Sequence, residues 1–227
     1  MARVAYPALR TLPRALSREA RRREVERIAR KVRSRARESP DARSWYREAR
    51  RWAEEVAPGG ADLLLGMLAA TSARQSLTGN VRTALRAYRY AAAGLPTSWG
   101  APYGVPSNAE AVARVAEGRM PNGPKVAPFL RALRGDPDAV AVDVWMSRIA
   151  SYRRSPTPRE RTILEAAIRV AARRLDWAPA EAQAAAWMSE RRAAGYTSSE
   201  TYRSAFARVT AADSAGTLRR TLATQGA

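Results

Sequence analysis

Apolar residues recur every three or four positions along nearly the whole chain, and no segment shows the sustained alternation of a half-buried strand. The stretch from Val126 to Leu133 illustrates this pattern, with apolar residues at 126, 129, 130 and 133 and a stop signal at Gly135. Such spacing gathers the apolar side chains on one face of a helix. The sequence therefore predicts an all-α fold.

The charge balance indicates the kind of partner. Of 227 residues, 46% are hydrophobic, which suffices for one or two compact helical units. The 40 Lys and Arg against 21 Asp and Glu leave a formal net charge of +19, which attracts a polyanion. Nucleic acid is the favoured partner and a membrane surface the weaker alternative. No stretch approaches the roughly 20 apolar residues of a bilayer span. With no convincing signal-peptide core at the start of the chain, we expect a cytoplasmic protein.

The chain lacks two residue types, and their absence limits the catalytic groups and metal ligands that it can supply. The chain has no cysteine, which excludes disulfides, thiol nucleophiles and iron-sulfur clusters. It also has no histidine, the commonest metal ligand and general base. We therefore expect no metal and no cofactor, and chemistry built from carboxylates, lysines and hydroxyls.

Three regions are predicted along the chain. Residues 1–40 form a basic helical arm, residues 41–195 the central domain and residues 196–227 a C-terminal helical extension. In the arm, Val25, Ile28 and Val32 make a narrow apolar stripe, and residues 1–55 hold 17 Lys and Arg against 8 Asp and Glu. Two interpretations stay open for the arm: a phosphate-binding face, or a solvated and partly frayed helix.

Two loops carry candidate ligand contacts. The polar segment 71–80 would present Ser72, Arg74, Gln75 and Asn80 to a ligand, or would be an ordinary interhelical turn. The segment 95–106 has three prolines and two glycines and cannot be a regular helix. Its Trp99 and Tyr103 would stack on bases, or would pin the loop to the core.

Lys125 and Asp143 are the candidate chemical groups, eighteen positions apart. Pro128 belongs in a first helical turn, so the helix must begin close to Lys125. The Asn122-Gly123 turn before it leads into exposed helix amides, which favour an anion. Asp143 is a lone carboxylate in an apolar run and would cap the next helix, pair with an arginine or serve chemistry. Lys125 has the alternative of a solvated lysine at a helix start.

On these residues the chain resembles the helix-hairpin-helix DNA glycosylase superfamily, of the endonuclease III and 8-oxoguanine glycosylase type. In that family a hairpin with a Gly-rich turn leads into a lysine, and a Val-Asp motif follows eighteen positions later. Gly123, Lys125 and the VDVWM of residues 142–146 match this pattern. Weaker similarity covers the segment from Leu63 to Tyr88 and LDWAPAEAQAAAWM of residues 175–188, so the resemblance spans roughly residues 45–192.

The resemblance implies a base-flipping enzyme with the family's helical fold and a basic N-terminal helical extension. Lys125 would be the amine nucleophile and Asp143 the catalytic carboxylate. Double-stranded DNA would be the partner, with no membrane and no iron-sulfur cluster. The DNA contacts would come from Ser72, Arg74, Gln75, Asn80, Arg82, Asn122 and Gly123. The base-pocket candidates are Trp99, Tyr103 and Trp145.

The chain also departs from the family pattern. The hairpin normally reads Leu-Pro-Gly-Val-Gly, whereas residues 120–124 read Met-Pro-Asn-Gly-Pro and keep only the second glycine. Trp145 stands where many members have histidine, and the 95–106 loop is additional. The expected function is an N-glycosylase, with or without AP-lyase activity. Two alternatives stay open: a phage-type enzyme that hypermodifies thymine on the same scaffold, and a non-catalytic basic DNA-binding protein.

Overall fold

The computed structural model describes residues 12, 16–152, 156–196 and 200–213, and this part of the chain is helical with no strand. The α-helices are α1 (Arg18–Glu38), α2 (Trp45–Val56), α3 (Ala61–Ala70), α4 (Leu77–Ala92), α5 (Pro106–Ala116), α6 (Val126–Leu133), α7 (Val144–Ile149), α8 (Pro158–Leu175), α9 (Pro179–Ala193) and α10 (Tyr202–Asp213). Short 3₁₀ helices span Pro40–Ser44 and Thr97–Gly100. The predicted all-α class is confirmed.

The chain divides into two compact units, each made of two segments. The first unit is Met1–Arg47 with Arg131–Ser198, and the second is Glu48–Leu130 with Ser199–Ala227. The predicted division into arm, central domain and extension stays a prediction. Parts of its two ends, residues 1–11, 13–15, 197–199 and 214–227, lie outside the described residues.

In the first unit, α1 packs along α8 and α9, and α7 packs on α9. The buried face of α1 includes Ile28 and Val32, as predicted, and also Ala29 and Ala36, whereas Val25 is only half-buried. The alanines widen the stripe beyond what large apolar residues alone would suggest. Because small side chains let backbones approach closely, α1 is a core helix of this unit on one side.

In the second unit, α3 packs against α4 and α5, and α10 packs on α4. The helix α3 is buried nearly all round, with Leu64, Leu65 and Leu68 fully inaccessible. Trp52 stacks on Tyr202 of α10 with ring centroids 5.7 Å apart. The core of this unit is therefore built around α3.

Two further properties concern the described residues only. None of their helices is both long and apolar enough to cross a bilayer. No group of three or more acidic, cysteine or histidine side chains within them is placed to hold a metal ion.

Candidate functional site

The backbone before α6 places Lys125 at a helix start, as the sequence predicts. Gly123 has a φ of 108°, a conformation that glycine adopts without a Cβ penalty. The amide of Ala127 donates to the Gly123 carbonyl at 3.3 Å, and that of Phe129 donates to the Lys125 carbonyl at 3.0 Å. Pro128 therefore sits in the first turn of α6, where its missing amide proton is not needed.

The amine of Lys125 lies near the polar loop that follows α3. Its Nζ is 3.5 Å from Ser72 Oγ, at the outer limit of a hydrogen bond, and 6.0 Å from the centre of the Phe129 ring. The side chain is half-buried. The structure thus brings together two of the predicted site residues, Lys125 and Ser72.

Asp143 is the N-cap of α7. Its Oδ1 accepts hydrogen bonds from the amides of Trp145 at 2.9 Å and Met146 at 3.2 Å. Its Oδ2 accepts one from the indole Nε1 of Trp187 at 2.9 Å. The capping interpretation is confirmed, and the half-buried carboxylate has no arginine partner among the described residues.

An aromatic cluster surrounds the cap, and Arg191 lies at its centre. The Arg191 guanidinium is 4.7 Å from the ring centre of Trp187, 4.9 Å from that of Tyr196 and 5.7 Å from that of Trp145. Trp145 also meets Tyr196 edge to face at 5.2 Å. Trp145, a predicted base-pocket residue, therefore lies beside Asp143, whereas Arg191, Tyr196 and the indole bond of Trp187 were not anticipated from the sequence.

Charged groups join α7 and α9 to α1. The carboxylate of Glu190, a buried residue of α9, pairs with Arg148 at 3.1 Å and with Arg35 at 3.2 Å. The Ser189 hydroxyl donates to Glu38 Oε2 at 2.6 Å. This hydroxyl, together with Arg35, holds the pKa of the Glu38 carboxyl below its usual range. The pair with Arg148 links the last turn of α7 to α9, and the other two bonds link α9 to α1.

The segment 71–80 does not present all of its polar residues to solvent. Arg74 is exposed, and Gln75 donates to the Tyr103 carbonyl at 3.3 Å. Asn80 is buried: its amide donates to the Leu68 carbonyl at 3.0 Å and to the Thr71 hydroxyl at 2.8 Å. The expectation that a loop presents Asn80 to a ligand is wrong. The helix α4 already begins at Leu77, so Asn80 lies on this helix and faces the core.

The two aromatics of the 95–106 loop have opposite environments. Trp99 is 64% exposed and meets Tyr90 edge to face. Tyr103 is buried, its hydroxyl donates to the Thr97 carbonyl, and burial raises its pKa. Tyr103 therefore pins the loop, and Trp99 is the one of the two that is free to stack on a ligand.

The remaining DNA-contact candidates are all exposed residues of the second unit: Arg82, Asn122 and Gly123. Arg82 lies on α4, and the other two lie in the connection from α5 to α6. Lys125 belongs to this unit and Asp143 to the first. Their convergence on one cleft stays a prediction.

A family of unknown function (DUF7178) matches the chain over residues 12–194. The chain belongs to this family. The DUF7178 match begins ahead of α1, runs to the end of α9 and contains both Lys125 and Asp143. No curated protein and no solved structure matched the chain.

Proposed function

We propose that this DUF7178 protein is a DNA-acting enzyme that works on a flipped-out base, as an N-glycosylase that uses Lys125 and Asp143. The observation that carries the proposal is that the eighteen-residue interval starts and ends at helix starts, with Lys125 just before α6 and Asp143 capping α7. The positive field of the chain supports a polyanionic substrate.

The chemistry follows from the two residue types. After the target nucleotide leaves the stack, the Asp143 carboxylate stabilises the positive charge that develops on the sugar. The neutral amine of Lys125 attacks the anomeric carbon, the glycosidic bond breaks, and the base leaves with its electron pair and takes up a proton. Opening of the sugar then gives a Schiff base to the lysine nitrogen, and loss of the proton at C2′ eliminates the 3′ phosphate.

One observation favours the non-catalytic alternative. Both carboxylate oxygens of Asp143 already accept hydrogen bonds, two from amides and one from an indole. A carboxylate held this way also serves purely as a structural cap. Under that alternative the protein binds DNA and the two residues do no chemistry.

Borohydride trapping distinguishes the proposed enzyme from the non-catalytic alternative. The assay is easy to interpret because the chain has only two lysines, Lys31 and Lys125. We would incubate the protein with duplexes that contain uracil, an oxidised purine or hydroxymethyluracil, and reduce with borohydride. We expect a covalent protein–DNA adduct on one duplex. It should vanish in Lys125→Arg, which keeps the charge but cannot form the Schiff base.

The matched control is Lys31→Arg, since Lys31 sits on α1 and donates to the Ser151 hydroxyl. This variant should trap as well as the wild type. Asp143→Asn should slow base release by about 100-fold or more. Base release without an adduct would mean a monofunctional glycosylase that activates water, and no base release from any duplex would refute the enzyme proposal.

A further inference from the structure

The helix α1 has two rows of basic residues, and only one of them is used within the protein. Arg27 donates to the Ala150 carbonyl at 3.0 Å, Lys31 to the Ser151 hydroxyl at 3.1 Å, and Arg35 pairs with Glu190. These residues are four apart and therefore share one side of the helix. That row ties α1 to the α7 end and to α9.

The second row has no such partners. Its members are Arg22, Arg30, Arg33 and Arg37. Three are exposed and Arg33 is half-exposed, and none makes a hydrogen bond or an ion pair with a described residue. At 3.6 residues per turn they fall within an arc of roughly 80° and extend over about 22 Å of helix.

The acidic residues of α1 do not neutralise this row. Glu19 pairs with Arg23, Glu24 with Arg27, and Glu38 with Arg35. Glu19 and Glu26 lie within the arc, but Glu19 is the partner of Arg23 and Glu26 pairs with Arg174 of α8 at 2.7 Å. The face therefore keeps a net positive charge from the four arginines.

We propose that this arginine row is a phosphate-binding surface for duplex DNA, on a different side of α1 from the row that faces the elements holding Asp143. Arginine is the side chain best suited to phosphate, because its planar fork donates two parallel hydrogen bonds. The choice of DNA as the polyanion rests on the proposed function, whereas the surface itself needs no chemistry at Lys125 or Asp143.

The same face argues against a membrane as the partner. A helix that lies in a bilayer interface needs apolar side chains beside its basic ones. The fully buried apolar residues of α1, Ile28, Ala29, Val32 and Ala36, are packed inside the first unit and cannot insert. The face thus has positive side chains but no exposed apolar side chains that could insert into a bilayer, and it therefore suits a nucleic-acid phosphate backbone better than a membrane.

The test is the salt dependence of binding to an unmodified duplex of about 20 base pairs, measured by fluorescence anisotropy from 50 to 200 mM KCl. In the variant with Arg22, Arg30, Arg33 and Arg37 all changed to Gln, we expect the slope of log K against log[salt] to fall in magnitude by roughly 3 to 4. The affinity near 0.1 M salt should fall by about tenfold or more. The double variant Arg30→Gln/Arg37→Gln should show about half of the slope change, and it keeps the test valid if four changes impair folding.

The matched control removes four exposed arginines elsewhere: Arg47, Arg51, Arg169 and Arg203. This control variant lowers the net charge by the same amount. If its slope of log K against log[salt] falls as much as that of the row variant, binding depends on the overall positive charge rather than on the arginine row, and the proposal is overturned. Unchanged binding in the row variant, or binding of the wild type to anionic phosphatidylserine vesicles but not to duplex, would overturn it too. If duplex binding depends on the arginine row but no base is released, the phosphate-binding surface is supported and only the proposed enzyme activity is refuted.

Discussion

At the scale of single residues, Asp143 combines a structural task with the proposed chemical one. Its carboxylate satisfies two amides at the start of α7 and one indole from α9. An isolated half-buried carboxylate costs several kcal/mol, and these three donors offset that cost. The same donors hold the carboxylate in a single orientation, which is what a catalytic carboxylate needs.

Removal of the cap should destabilise the protein. We expect Asp143→Ala to lower the free energy of unfolding by about 1–2 kcal/mol, because α7 loses its N-cap and an indole N–H loses its acceptor. Asp143→Asn should cost less, since asparagine caps helices about as well as aspartate. Urea unfolding measures both. Equal stability of Asp143→Ala and the wild type would contradict the observed capping geometry.

Trp187 should act as a positioning residue for Asp143. Trp187→Phe keeps an aromatic ring but removes the N–H that donates to Oδ2. We expect the rate of base release to fall about tenfold with duplex affinity unchanged. In an Asp143→Asn background the same change should have no further effect. Trp177→Phe is the control, because Trp177 stacks with Arg43; an equal loss of rate there would indicate a general packing effect.

At the scale of helices, close packing depends on small residues at the crossings. Gly66 of α3 faces Val115 of α5, and a Cβ on Gly66 would lie 2.5 Å from Val115 Cγ1. That distance is too short for two carbons in contact, so this crossing requires glycine. On α1, Ala29 and Ala36 occupy the buried face in the same way.

A double-mutant cycle tests the crossing of α3 and α5. Gly66→Ala should lower stability by about 1–2 kcal/mol, since overpacking outweighs the better helix propensity of alanine. Val115→Ala alone also destabilises, but Gly66→Ala/Val115→Ala should be more stable than the sum of the single changes predicts, because the smaller partner relieves the clash. Simple additivity in thermal or urea unfolding would show that the helices do not meet at this point.

The contact between α1 and α9 should make the free energy of unfolding depend on pH in the acid range. Ser189 and Arg35 lower the pKa of Glu38 from its ordinary value near 4.5. The stabilisation is thus fully present above pH 4.5 and is lost as the pH falls through the lower folded-state pKa. Ser189→Ala should be less stable than the wild type at pH 7, and the difference should shrink on acidification. A difference that stays constant with pH would disprove this linkage.

At the scale of the whole molecule, the charge is large and nearly insensitive to pH around neutrality. The formal net charge is +19, and no histidine or cysteine is present to titrate near pH 7. Within the described residues, the carboxylates with shifted pKa values, Glu38, Asp41 and Asp136, are all shifted downward, away from this range. The protein therefore presents an almost constant positive field to any polyanion around neutral pH.

We expect the affinity for an unmodified duplex to be flat from pH 6 to 8 at fixed ionic strength, since no side chain with an ordinary pKa in that interval is present. Anisotropy titrations at three pH values would measure this, with salt held constant. A change of affinity beyond about twofold would reveal a strongly perturbed group at the interface.

Much of the local structure follows from the sequence for local reasons. Helical periodicity predicted the all-α class, and Pro128 predicted that α6 begins close to Lys125, because both effects act within one or two turns of the chain. Capping by Asp143 was one of three open interpretations, since a lone carboxylate has the same local signature in each. The polar loop containing Asn80 was predicted less well, because the start of α4 depends on which of several polar residues caps it.

By itself the sequence determined the helical class, the absence of thiol and imidazole chemistry, and the positive field, because composition and periodicity need no knowledge of distant contacts. Only the tertiary structure decided that Asn80 is buried and that the Trp187 indole donates to the Asp143 carboxylate. It also decided which arginines of α1 form hydrogen bonds or ion pairs within the protein. Those partners lie from a dozen to more than a hundred residues away, so their choice depends on how helices pack rather than on any local pattern.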